Sequence, residues 1–414
     1  MVGPVHLEGI LGQEVIVMRT PALACVIVLL AASAVPAATF QVDDTGDAVD
    51  LTPGDGICAT AGAACTLRAA VQEANALAGD DRIRVPAGTY ALTIAGAFEN
   101  AGATGDLDLT GRLRIVGQGP EATIVDAGGL DRVIDVRPGA RVTLVRLAVR
   151  GGKASNTEVG GGIHTDTSSR LVLERVLVES NEALVGGGIG AGGRVKITAS
   201  TVRDNFAEAG GGLLTTTDAT IRKSTFDGNV ADGILEIFGH DIAATGPATV
   251  TIVNSTITGQ IQTSSICRSE PVQSTVGADF VLSNVTVNDV SNIVRTLDSC
   301  TPGEGEGTFT LRNSIVQQCN ATLISQGYNF VQPEGCGILG DLTGVVVGDD
   351  PLLGSLLDNG GPTQTLLPVA VSQAVDGGNP ATPGSGGFAC EPFDQRGVAR
   401  FLGAGCDMGA VEGH

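Results

Sequence analysis

VTLVRLAV (Val142–Val149) opens a series of seven stretches that repeat one phrase. It is followed by LVLERVLV (Leu171–Val178), VKITASTV (Val195–Val202), ATIRKSTF (Ala219–Phe226), VTIVNSTI (Val250–Ile257), FVLSNVTV (Phe280–Val287) and FTLRNSIV (Phe309–Val316). Aligned on their last residues, all seven are apolar there, again five residues earlier (Leu144 to Leu311) and again seven earlier (Val142 to Phe309). The phrase returns every 24 to 31 residues from Arg141 to Cys319, a period that marks a stacked repeat. Apolar residues two apart share one face of a strand. That phase shifts before the last residue, so the strand must bend, and Asn254, Asn284 and Asn313 stand at the bend in three successive copies. Asn tolerates turn conformations and can bond backbone one coil away. Two short strands about a bend, then a loop, then the same one layer on, is the coil of a parallel β-helix. Its rungs lie about 4.8 Å apart, so each column becomes a ladder of like side chains.

The rest of the chain fits this reading. Gly160-Gly161-Gly162, Gly186-Gly187-Gly188 and Gly210-Gly211-Gly212 follow three of the phrases at similar distances and mark a recurring turn. Aromatic residues are 3% of the chain, as thin aliphatic ladders require. Net charge is −21, which argues against a nucleic-acid partner and predicts general repulsion of acidic polysaccharides. The absence of Trp argues against a lectin that stacks sugars on exposed rings.

Ala22 to Ala32 is an apolar run behind Arg19, with small residues at Ala34, Ala37 and Ala38. This predicts a secretory signal cleaved near Ala37 or Ala38. The run is too short to span a membrane. Glu8 and Glu14 fit poorly ahead of it, so translation is expected to start at Met18. Beyond Cys25, eight cysteines remain, an even number in an exported chain, which predicts disulfides. Proximity favours Cys58–Cys65, Cys267–Cys300, Cys319–Cys336 and Cys390–Cys406, with other pairings open.

The stretch from Gly56 to Leu92 places Leu67, Val71, Ala74 and Leu77 at helical spacing, with Thr66 as N-cap and Gly79 as stop. Cys65-Thr66-Leu67-Arg68-Ala69-Ala70, then Glu73-Ala74-Asn75 and PAGTY at Pro86–Tyr90, resembles the N-terminal CSLREA module of bacterial exported β-helix proteins. Ala69 replaces the family's Glu, which leaves the capping box incomplete. At the other end, DDPLLGSLLDNGGPTQTLLP from Asp349, Ser372-Gln373-Ala374-Val375-Asp376, DQRG at Asp394 and CDMGAVE at Cys406 resemble a choice-of-anchor domain. The family's stalk and apolar tail do not follow before His414. The resemblance implies an all-β, right-handed parallel β-helix with a short capping helix and a small loop-rich C-terminal module. The expected segments are an upstream extension and signal (1–38), a cap (39–82), the β-helix (83–345) and the C-terminal module (346–414).

Candidate chemistry is sparse. One position past the last residue of the phrase stand Glu179, Arg203 and Asp227 on successive rungs, with Asp204 beside Arg203. Paired carboxylates on the outer face are what a β-helix glycoside hydrolase or lyase would use. The competing reading is an alternating-charge ladder on a solvated face. Asn181, Asn205 and Asn229 are expected to form an asparagine ladder, and His164 to be a loop residue. Asp349, Asp350, Asp358, Asp376, Asp394, Asp407 and Glu412 have oxygens that Ca²⁺ accepts, but no Ca²⁺ motif, so turn and cap roles are expected and no cofactor. The resulting expectation is a secreted or surface-associated scaffold for an extracellular ligand, surface protein or polysaccharide, with a polysaccharide lyase or glycosidase as the alternative.

Overall fold

A computed structural model describes residues 16–20, 23–27, 37–154, 158–232, 239–268, 277–297, 307–401 and 403–413. The chain forms two compact units, Met1–Ala37 and Ala38–His414. In the first, Ile16–Thr20 and Leu23–Ile27 pair antiparallel.

In the second unit the repeated phrase becomes a parallel β-helix. One coil shows the pattern: Arg170–Glu174, a bend, Leu177–Glu179, a turn, Glu182–Val185, the glycine turn, then Ile189–Ala191. The next coil repeats it with Arg194–Thr198, Thr201–Arg203, Phe206–Ala209 and Leu213–Thr215. Every strand lies parallel to its counterpart and in register. Stacked this way, 28 strands among the described residues join one continuous sheet.

The three apolar columns form the core. Leu144, Leu173, Ile197, Ile221 and Ile252 are each 0% exposed, as are Val149, Val178, Val202, Phe226 and Ile257. Where the outer column becomes aromatic, Phe280 and Phe309 stack with centroids 5.0 Å apart. The phase shift is a left-handed bend in all seven copies: Arg146, Arg175, Ala199, Lys223, Asn254, Asn284 and Asn313 have φ of 47–56°. The glycine turn is equally constrained. Gly186 has φ +66°, and a Cβ on Gly187 would sit 2.3 Å from the Phe206 carbonyl oxygen of the next coil. Only glycine lets the coils approach that closely.

The helix Leu67–Ala76 has Thr66 as its N-cap, whose hydroxyl accepts from the Ala69 amide. It ends at Ala76, before Gly79. Its apolar side joins the solenoid core, and Thr39–Gln41 ahead of it already pairs with Asp80–Arg84. Arg68 is buried against Asp47 at 2.6 Å and donates to the carbonyls of Gly102, Gly105 and Asp106. The cap residues that carry the family resemblance thus tie the helix to the first coils.

The C-terminal module starts with the antiparallel hairpin Leu353–Leu357 and Thr365–Pro368. The chain then lies back along the bend column. Asn254 donates to the Phe393 carbonyl, Asn284 accepts from the Glu391 amide, and Asn313 accepts from the Asn379 amide and donates to the Phe388 carbonyl. Buried Arg400 donates to Asn254, to the carbonyls of Asp407 and Gly409, and to Glu412. The three bend asparagines are therefore the seat of the C-terminal module.

Among the described residues three disulfides are present: Cys58–Cys65, Cys319–Cys336 and Cys390–Cys406, with Cα separations of 5.2, 5.4 and 6.6 Å. The expected Cys267–Cys300 pair lies outside the described residues, as does most of the apolar run from Ala22. Among the described residues, no helix is long and apolar enough to cross a membrane.

Candidate functional site

Three outward columns carry the polar chemistry of the rod. The first joins Asp126, Arg150, Glu179, Arg203 and Asp227, one residue per rung in register. Arg150 bonds Asp126 at 2.9 Å, and Arg203 holds Glu179 at 2.7 Å. The Glu179 carboxylate, by accepting from Arg203, raises the guanidinium above its usual range. Asp227 accepts from the Thr258 hydroxyl. Asp204 sits on a left-handed turn, exposed, 3.7 Å from Arg203. Glu179 and Asp227 lie two strand spacings apart, about 9.5 Å, with Arg203 between them. The column alternates in sign, and neighbouring rungs neutralise one another.

The second column was not anticipated from the sequence. His164 stands in the strand Ile163–Thr165 and not in a loop, because its neighbours Ile163 and Thr165 point into the core. Its register partner is Asp135, and that of Asp135 is Asp108. The Asp135 carboxylate lies 2.8 Å from His164 Nδ1 and 2.6 Å from Arg137 Nη1. Burial would raise Asp135, but the His164 hydrogen bond and the Arg132 charge bring it below the usual carboxylate range. Arg132 also bonds Asp106 and Glu158. Burial pushes Asp106 up to about 7 against the pull of Arg132, and Asp108 up to about 6. These acids are packed beneath the loop at Gly102–Gly105, and Gly102 donates to Asp108. Aligning RVIDV with the later strand IHT, 29 residues on, is the sequence signal that places Asp135 and His164 in one column.

The asparagine ladder forms as expected. Asn181 donates to Asn205 at 2.9 Å, Asn205 to Asn229 at 2.8 Å, and Asn229 to Asp241 at 2.7 Å. Burial raises Asp241 to about 7 at the end of this relay. The C-terminal acids close turns: Asp350 accepts from Leu352, Asp358 from Gly360, and Asp394 from Val398.

The third set of columns covers the first strands of the coils. Arg112, Arg141, Arg170 and Arg194 stack on four successive rungs, flanked by Asp80 and Asp218 at the two ends of the row. Two residues further along the strands, Arg82, Arg114 and Lys196 share a second column. Arg84 and Arg222 share a third, and Arg146, Arg175 and Lys223 occupy the bends. Together these are half of the chain's 24 lysines and arginines. Three carboxylates on this face, Asp80, Glu174 and Asp218, lie 3.3, 3.0 and 3.7 Å from Arg112, Arg114 and Arg194. Over the early rungs the face forms an open groove of about 800 Å³ lined by Arg82, Arg84, Arg114, Arg146, Arg175 and Lys196, with no aromatic side chain. The strongly acidic net charge hides this surface, because even the cations of the main row stand 24 to 29 residues apart in sequence.

No protein family, curated protein or solved structure matches the chain.

Proposed function

We propose that the protein is an exported β-helix scaffold that works by binding along its length, in the manner of an adhesin, without turnover. The observation that carries this reading is the fate of the outward acids. Glu179, the nearest to a catalytic carboxylate by position, is held by Arg203, and Asp227 is engaged by Thr258. Both carboxylates are engaged by neighbours on adjoining rungs, the arrangement expected of a charge ladder that serves the stack. Export is supported by three disulfides and by the coincidence of the expected cleavage site with the boundary between the two compact units at Ala37. The C-terminal module, seated on the rod, resembles a surface-association domain by sequence. The partner is an extracellular ligand, a surface protein or a polysaccharide.

The test is saturable binding of the mature chain (38–414) to isolated cell envelope or matrix, competed by unlabelled chain. Absence of saturable binding to any such material overturns the reading. A second reading, a polysaccharide lyase or glycosidase, draws on the Glu179–Arg203–Asp227 column. New reducing ends or unsaturated uronates that disappear in Glu179→Ala and Asp227→Ala would carry it.

A further inference from the structure

The alternating column and the arginine row obey opposite rules. Along Asp126, Arg150, Glu179, Arg203 and Asp227 the sign alternates, as a ladder that serves folding should. Along Arg112, Arg141, Arg170 and Arg194 it does not, although like charges directly opposite one another destabilise a sheet. Arg141 and Arg170, in the middle of the row, are exposed and have no ion-pair partner among the described residues. The adjoining column adds exposed Arg82 and Lys196. Folding gains nothing from this arrangement, so its use lies outside the chain.

Resting on the binding-scaffold reading above, we infer that this face is a docking track for a linear anionic polysaccharide, lying along the rod axis with its carboxylate or sulfate groups on successive arginines. The geometry is that of a straight row with one guanidinium per strand spacing, about 4.8 Å. A guanidinium binds a planar anion through two parallel N–H bonds, which suits regularly spaced carboxylates. Other polyanions fit less well. Single-stranded nucleic acid binds through stacking on aromatic rings, and neither the arginine row nor the groove beside it carries one. A protein partner needs apolar anchors at the centre of the interface. Here the outward residues between the cations are mainly Thr, Gln and partly buried Val. A polysaccharide bearing charges along an extended chain needs neither. The overall charge of −21 repels such a chain elsewhere on the surface, which confines it to this face.

The experiment measures binding of the mature chain to polygalacturonate and to dextran sulfate by fluorescence anisotropy across a salt series. Neutral dextran, an oligothymidylate and anionic lipid vesicles serve as comparisons. The variants are the double substitution Arg141→Gln/Arg170→Gln and a control, Lys153→Gln, which removes an exposed cation elsewhere on the rod. The expected result is binding to an anionic glycan that weakens linearly on a log–log salt plot. The double variant loses at least tenfold in affinity at low salt and about two from the salt slope, while Lys153→Gln is unchanged. Polygalacturonate bound better than dextran sulfate assigns the track to carboxylates, and the reverse assigns it to sulfates. Equal loss in the control, preference for the oligonucleotide or the vesicles, or salt-sensitive self-association without glycan binding would each overturn the inference. If the chain binds envelope material but no anionic glycan, this inference fails and the scaffold reading stands. If the glycan is shortened, the scaffold reading fails instead.

Discussion

Replacing Asn205 with Ala tests the ladder that holds the middle coils together. Asn205 is 1% exposed and makes four side-chain hydrogen bonds. It donates to Val178 O at 3.0 Å and to Asn229 Oδ1 at 2.8 Å. It accepts from the Asn181 backbone amide at 3.1 Å and from the Asn181 side chain at 2.9 Å. Truncation leaves the Asn181 backbone N–H buried and without that acceptor. The Asn181 side chain keeps Val149 O, and Asn229 Oδ1 keeps the Asn205 backbone amide. One orphaned donor costs about 1–3 kcal/mol, and three weakened groups about 0.5–1 kcal/mol each, for a total of roughly 3–5 kcal/mol. A solenoid opens locally, so the assay is native-state hydrogen exchange on the coils from Leu177 to Ala231. Protection there should fall by roughly two to four decades, while the helix Leu67–Ala76 keeps its own. A loss below about 1 kcal/mol with the fold intact would refute the claim that side-chain bonding along this column stabilises the stack.

Four buried carboxyls predict an acid-shifted stability optimum. Burial raises Asp106 and Asp241 to about 7, and Asp108 and Asp407 to about 6. A raised group binds its proton more tightly when folded, so its contribution is complete below about pH 4 and is lost as pH climbs through 6–7. Thermal unfolding should occur at higher temperature at pH 5 than at pH 8, with the difference reduced in Asp241→Asn; a flat or inverted profile would contradict this. At the bend, Ala199 has φ +52°, so Ala199→Val should cost about 2 kcal/mol while Ala199→Asn stays within about 0.5, as read by denaturant titration. Gly187→Ala would press a methyl against the Phe206 and Gly211 carbonyls, and a loss of about 3 kcal/mol is expected.

The core was legible because its period is written in apolar residues, and a ladder needs the same residue type at the same place on every rung. The left-handed bends were legible only where Asn marks them. Arg146, Arg175 and Lys223 adopt the same φ without any residue preference, because the residues two before and three after each (Leu144 and Val149, Leu173 and Val178, Ile221 and Phe226) are fixed in the core. The fold-back of the C-terminal module left no local trace, since Asn254 and Phe393 meet across 139 residues. Pairings such as His164 with Asp135 depend on rung alignment through early coils whose pattern is irregular. The cationic face is not legible in the composition, because a net charge carries no information about where the charges stand. The register of Glu179, Arg203 and Asp227 is legible in the repeat, whereas their hydrogen bonds depend on side-chain conformations that the repeat does not specify.

Binding without turnover can be read from one glycan sample followed for both properties. The mature chain is incubated with polygalacturonate and other acidic and neutral polysaccharides, with and without Ca²⁺, and the bound fraction and the number of chain ends are measured together. A scaffold gives a bound fraction that rises to saturation while chain ends stay constant. A steady increase in reducing ends or unsaturated uronates, abolished by Glu179→Ala or Asp227→Ala, would contradict it.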